Sequence, residues 1–261
     1  MKKEADFQKA IENDLRKAIT NQEFELHYQS VMDVETRELS GVEALVRWRH
    51  PTRGLIAPDQ FIPLAEATGL ILPLGEWVVR QACLDAARWP AHIKIAINIS
   101  AVQFNKGTLF DVILRALLET SMSPRRLELE ITETALLQNH EANLQTMRQL
   151  KNLGISIVLD DFGIGYSSVR YLTQYPFDKI KIDKSLTQGA ATSRACAAVI
   201  ASAVALARGL EIPTTAEGIE TEQQFQLLRT AGVNLVQGFM FGRPVPLRDQ
   251  ENLEVLKRDV A

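Results

Sequence analysis

Residues 155–161 read Ile155-Ser156-Ile157-Val158-Leu159-Asp160-Asp161, an apolar run that ends in two acids and continues into Phe162 and Gly163. So short a run of β-branched and aliphatic residues predicts a strand covered on both faces, as in a parallel sheet packed under helices. The rest of the chain repeats the unit. Strand-like runs stand at 93–100 (IKIAINIS), 127–132 (LELEIT), 177–182 (FDKIKI), 212–218 (IPTTAEG) and 234–242 (NLVQGFMFG). Helical patterns fall at 58–68, 73–88, 108–120, 134–153, 167–174, 190–209 and 221–231. Earlier in the chain, residues 6–20 place Ile11, Leu15 and Ala18 at helical spacing. EFELHYQSVMD (23–33) and GVEALVRW (41–48) are joined by a link too short for a crossover, so they predict an antiparallel hairpin. About eight strands and about eight helices in alternation predict an α/β barrel of the TIM type, modified by an antiparallel first strand. An open doubly wound sheet would carry a Gly-rich phosphate turn after its first strand, and this chain has none.

The 261 residues are 46% hydrophobic, enough for one large core, and no low-complexity linker divides them. The chain is therefore expected to hold a lead-in helix over 1–20 and a single barrel domain over 21–261. The formal net charge of -3 gives no basic surface for a nucleic-acid polymer. Charges interrupt every apolar stretch, so no membrane span is expected, and the charged N-terminus lacks the apolar core of a signal peptide. Cys83 and Cys196 stand far apart with no CxxC, which suits a reducing, cytoplasmic compartment.

A parallel barrel gathers the carboxyl ends of its strands on one face. Five acids sit at such ends: Glu43, Glu130, Asp160, Asp161 and Glu217. Asn98, Lys181 and Gln237 end three further runs. Each has a plain alternative. Glu43 could pair with Arg47 or Arg49, Asn98 and Glu133 could cap the segments that follow them, and Lys181 could lie along the surface. Glu128 alternates with Glu130, and Lys179 with Lys181, so each pair shares a face. Asp160 and Asp161 are adjacent, and adjacent strand residues point to opposite sides. An acid at the strand end and another turning into the loop can nevertheless share two ions. Five formal negative charges against the one positive charge of Lys181 leave four, which two divalent cations balance. Oxygen ligands with one amide favour Mg²⁺ or Mn²⁺ over zinc. A pair of such ions is a device for phosphate-ester hydrolysis.

These residues fall in blocks that resemble the EAL domain family of cyclic-di-GMP phosphodiesterases. The blocks are EAL at 43–45, NIS at 98–100, EITE at 130–133, DDFGIGYSS at 160–168, KID at 181–183, AEGIE at 216–220 and QGF at 237–239. The resemblance implies hydrolysis of cyclic-di-GMP to linear pGpG on a modified TIM barrel. It implies one metal held by Glu43, Asn98, Glu130 and Asp160, and a second held by Asp160, Asp161 and Glu217. Lys181 would contact the attacking water, making Lys181, Glu43, Asp161 and Glu217 the catalytic set. Gln29, Arg47 and Gln237 would serve substrate binding, with Gln237 also supporting the metal ligands. Glu133 would brace the loop 162–175, whose Phe162, Tyr166, Tyr171 and Tyr175 would lie beside a homodimer interface. Sensor or GGDEF modules commonly precede such domains in longer chains. The alternative is a catalytically weak receptor domain for cyclic-di-GMP; an enolase-type barrel or a scaffold fits the acids less well. Ile164 stands where the family often has Thr, and Ser30 where Pro is common.

Overall fold

The computed structural model describes residues 2–137, 139–164 and 169–246. Helix α1 (Lys2–Asn21) leads into strands β1 (Phe24–Asp33) and β2 (Leu39–His50), paired antiparallel with Gln29 opposite Glu43. The link turns because Asp33 Oδ1 accepts from the backbone N–H groups of Glu35 and Thr36 at 2.9 Å each, a local Asx arrangement. A short β3 (Gly54–Ile56) folds back onto β2, and α2 (Pro58–Thr68) and α3 (Ile71–Ala86) follow. The chain then alternates through β4 (Lys94–Ile99), α4 (Ala101–Asn105), α5 (Leu109–Thr120), β5 (Leu127–Thr132), α6 (His140–Asn152), β6 (Ser156–Phe162), α7 (Val169–Gln174) and β7 (Lys179–Ile182). It continues with α8 (Lys184–Gly189), α9 (Arg194–Gly209), β8 (Thr214–Ala216), α10 (Glu222–Ala231), β9 (Leu235–Gln237) and a two-residue β10 (Val245–Pro246) on β1.

Eight of these strands close a barrel in the order β1-β2-β4-β5-β6-β7-β8-β9, with β9 returning to β1. From β2 to β9 every pairing is parallel, and β1 is antiparallel to both of its neighbours. The expected modified barrel is what forms. Alternation sorts the residues of each strand. On β5, Leu127, Leu129 and Ile131 are fully buried in the core beneath the helices, and Glu128 and Glu130 take the other face. Burial of each such aliphatic side chain is worth about 1.5–3 kcal/mol, which is what forces the acids inward. Helix α1 belongs to the same core through Ile11, Leu15 and Ala18.

Two expected helices are shorter than the periodicity implies. The pattern over 134–153 divides into a 3₁₀ turn at Glu133–Leu136 and α6, because Asn139 takes a left-handed backbone with φ 53°. Asn143 Nδ2 secures the break by donating to the carbonyl of Ala135 at 3.3 Å. The pattern over 190–209 starts only at Arg194, where Ser193 caps α9 by accepting from the N–H of Cys196. Two glycines flank the strand ends for steric reasons. A Cβ on Gly238 would lie 2.1 Å from the carbonyl oxygen of Ile219, and Gly218 combines φ +72° with a 2.5 Å approach to Lys184.

Candidate active site

Asn98, Glu130, Asp160, Lys181, Glu217 and Gln237 sit at or near the ends of their strands, whereas Glu43, expected at a strand end, lies inside β2, which runs on to His50 because it also pairs with β1 and β3. Register fixes the levels: Asn98 lies beside Glu130, and Lys181 beside Thr215. The N–H of Glu217 donates to the carbonyl of Ile182 at 3.1 Å, extending the β7–β8 pairing and aiming Glu217 into the same layer.

Lys181 is the hub. It is 2% exposed, and its Nζ lies 2.7 Å from Glu130 Oε2, 2.7 Å from Glu217 Oε1, 3.4 Å from Asp160 Oδ1 and 3.5 Å from Glu43 Oε2. Glu43 is gripped from two further sides, by Asn98 Nδ2 at 2.5 Å and Gln237 Nε2 at 2.6 Å. Neither Arg47 nor Arg49 pairs with Glu43; Arg49 pairs instead with Glu25. Lys181 is no surface lysine, and Asn98 caps nothing, since Ser100 caps α4. Asp183 of the KID block caps α8, accepting from the N–H of Ser185 at 2.8 Å.

Such crowding sets the electrostatics. Burial favours the neutral form of every acid here. For Glu43 the Lys181 charge and the two amide donors outweigh burial, and its carboxyl stays below the usual range. For Glu130, burial and the neighbouring charges of Glu43 and Asp160 win, and its carboxyl rises well above that range. Burial pushes Glu217 up to about 7 against the pull of Lys181, with Asp160 and Glu43 adding to the rise. Burial opposes the charge of Lys181, yet the four carboxylates hold its ammonium well above the usual lysine range. Lys181 is therefore a hydrogen-bond donor with no lone pair to offer.

Asp160 and Asp161 meet on one side. The β6–β7 register shifts between Leu159 and Phe162, and Asp161 takes φ +58°. That left-handed backbone costs an L-residue about 1–2 kcal/mol, less for Asp than for most. The turn brings oxygens of Asp160, Asp161 and Glu217 within 4.8 Å of one another. Burial and then Asp160 raise the carboxyl of Asp161. Outliers of this kind gather at functional sites.

The expected substrate contacts divide. Arg47 is half-buried and donates to the carbonyl of Val46 at 2.9 Å; burial depresses its guanidinium, and Glu43 partly restores it. Gln29 is buried, with Nε2 on the carbonyl of Gly242 at 3.1 Å and Oε1 accepting from Gln237 at 3.0 Å. Gln237 thus ties Gln29 to Glu43, and its Oε1 is buried with no partner among the described residues. Glu133 opens the 3₁₀ turn after β5. Of the loop 162–175, residues 165–168, including Tyr166, lie outside the described residues. Tyr175 accepts or donates at 2.6 Å with His140 Nδ1 and packs near Tyr171, so these two rings serve the domain's own core.

Two features of the structure escape the sequence patterns. A cleft of about 590 Å³ opens beside Asn98, walled by Leu45, Val46, Ile62, Pro63 and Ile71 and carrying Asp59 and Glu66. Helical spacing alone makes Ile62 and Ile71 look like core. The second feature is Glu128, which the alternation places on the Glu130 face without a partner; it is buried between Lys179 and Lys94.

A parallel barrel with its polar groups gathered at the strand ends has the layout of an enzyme barrel. The chain belongs to the EAL domain family, whose model matches residues 12–244. An uncharacterized signaling protein of Caulobacter vibrioides is 46% identical over 237 residues, covering 91% of this chain and 29% of its own. The bifunctional diguanylate cyclase/cyclic di-GMP phosphodiesterase MucR of Pseudomonas aeruginosa is 42% identical over 250 residues, covering 94% of this chain and 36% of its own. The solved MucR phosphodiesterase in complex with c-di-GMP superposes with a TM-score of 0.88 over 94% of this chain and 99% of that one. A calcium/cy-diGMP complex of BlrP1 from Klebsiella pneumoniae, 28% identical, gives 0.76 over 86% of this chain and 56% of that one. The chain spans about a third of the length of the curated relatives it matches. Among the described residues, no helix is long and apolar enough to cross a membrane.

Proposed function

We propose that this domain hydrolyses one phosphodiester of cyclic-di-GMP, yielding linear pGpG, with two Mg²⁺ or Mn²⁺ ions in the acid cup. The observation that carries the reading is the single layer in which Glu43, Asn98, Glu130, Asp160, Asp161, Glu217 and Lys181 converge. The c-di-GMP complex of the MucR phosphodiesterase supports the substrate, and the calcium/cy-diGMP complex of BlrP1 supports a hard cation beside it. The donor set fits: it is oxygen-rich, carries excess negative charge and includes three acids with oxygens within 4.8 Å. Glu43, Asn98, Glu130 and Asp160 would hold one ion, and Asp160, Asp161 and Glu217 the other. Such ions lower the pKa of bound water and stabilise charge building on the phosphate.

The chain's own groups do the rest. Lys181 donates to the attacking oxygen and fixes its direction. Water adds to phosphorus, the P–O3′ bond breaks, and the leaving 3′ oxygen takes the proton. Arg47, farther along the same strand as Glu43, would meet a phosphate oxygen. Gln29 and Gln237 fix the wall of the cup. The apolar cleft suits a planar purine, with Glu66 or Asp59 accepting from the guanine N1–H and N2–H₂. Glu133 braces the loop 162–175 at a homodimer contact. In the cell the barrel, with its lead-in helix, works in the cytoplasm as the output module of a longer chain.

Chromatographic separation of cyclic-di-GMP from pGpG over time, with Mg²⁺ or Mn²⁺ and after exhaustive chelation, tests the reading. Ion-dependent appearance of pGpG is expected. Tight binding without any pGpG would instead make the domain a receptor.

A further inference from the structure

Beneath the acid cup, the same two strands repeat its central ion pair. Glu128 precedes Glu130 by two residues on β5, and Lys179 precedes Lys181 by two on β7. Lys179 Nζ donates to Glu128 Oε2 at 2.5 Å, as Lys181 does to Glu130 Oε2 at 2.7 Å. Lys94 on β4 donates to the other oxygen, Glu128 Oε1, at 2.9 Å. Both oxygens of Glu128 are thus engaged by lysines, and Glu128 and Lys179 are buried. A cavity of about 10 Å³ separates the two levels, bordered by Glu128, Lys179, Glu130 and Lys181 together.

The same cavity is also lined by Val42, Ala96, Thr215 and Gln237. A two-residue step along a strand is about 6.5 Å, within the reach of a lysine side chain. A buried ammonium without a partner is costly, so pairing with another anion within reach is favoured. For Lys179 such an anion is Glu130, which borders the same cavity. We infer that Glu128 is an anchor that holds Lys179 away from the metal-binding acids, so that the cup keeps its negative charge for divalent cations. The inference rests on the cup being a cation site. Without Glu128, Lys179 would add a second positive charge among the acids and occupy an oxygen of Glu130 that an ion needs.

The deciding experiment is calorimetric titration with Mn²⁺, without nucleotide, of the wild type, Glu128→Gln and the double variant Glu128→Gln/Lys179→Met. Glu128→Gln keeps the volume and removes the charge; its Mn²⁺ affinity is expected to fall roughly tenfold or more, from one extra charge at short range. Removing the freed lysine as well is expected to restore affinity to within about threefold of wild type. Unchanged affinity in Glu128→Gln, or a double variant as weak as the single one, would overturn the inference in favour of a purely structural pair. If Glu128→Gln does not fold, Lys179→Met alone decides. Its Mn²⁺ affinity must not fall, and a tenfold loss overturns the anchor. A wild type that takes up no Mn²⁺ would sink the cation reading of the cup itself, and this inference with it.

Discussion

In the lower half of the barrel one carboxylate, Glu128, faces two lysines, whereas in the upper half one lysine, Lys181, faces four carboxylates. The strands are the same, β5 and β7, and the cross-barrel pair is the same. The lower cluster is closed: each oxygen of its acid has an ammonium, and burial is compensated. The upper cluster is left deficient in cations, with Glu130 and Glu217 driven toward their neutral forms. A structural ion cluster satisfies its charges internally; a functional one is left for something else to complete.

The sharpest way to break that contrast is to remove an upper acid. Glu43→Ala deletes a proposed metal ligand while leaving Arg47 and the cleft intact. Turnover is expected to fall by about 10³-fold or more, with cyclic-di-GMP binding weakened but retained. Retained turnover in a pGpG assay would show that the upper layer is not the reacting centre. Lys181→Met comes next: kcat is expected to drop about 10²–10⁴-fold with KM within a few-fold. A loss confined to KM would make Lys181 a binding group.

The contrast also has a pH signature in metal-free protein. Glu217 titrates near 7 when folded and near 4.5 when unfolded, so between those values the folded chain holds a proton that the unfolded chain has lost. Stability is therefore expected to fall as pH rises through 4.5–7, by about 2–3 kcal/mol, and Glu130 acts in the same direction. Saturating Mn²⁺ should remove the slope. Urea unfolding at about pH 5 and about pH 8, with and without Mn²⁺, checks this; greater metal-free stability at the higher pH would contradict it. The smallest effect lies outside both layers. Ser30 Oγ is buried with no partner among the described residues. Ser30→Ala is expected to be neutral or to stabilise by up to about 1 kcal/mol in the same assay, since an unmade hydrogen bond is removed.

The barrel and the identity of its strand-end residues were legible because apolar runs of period two declare which residues face inward. LELEIT names Glu128 and Glu130 together for that reason. What the run does not carry is the partner across the barrel, since Lys179 and Lys181 lie about fifty residues away and their levels depend on strand stagger. The side taken by Asp161 was hidden for a different reason: it depends on a register shift and a left-handed backbone that no alternation rule anticipates. Asn139 interrupts a good helical period in the same way, through one φ angle. The cleft was concealed because Ile62 and Ile71 have core spacing whether they face the barrel or a ligand.

The central claim, that the upper layer takes up cations and the lower layer needs none, is tested most directly by anomalous scattering from crystals grown with Mn²⁺ and cyclic-di-GMP. Two peaks are expected in the cup, one among Glu43, Asn98, Glu130 and Asp160 and one among Asp160, Asp161 and Glu217, with Glu128 still paired to Lys179. A peak beside Glu128, or an acid cup without manganese at saturating concentration, would contradict the account.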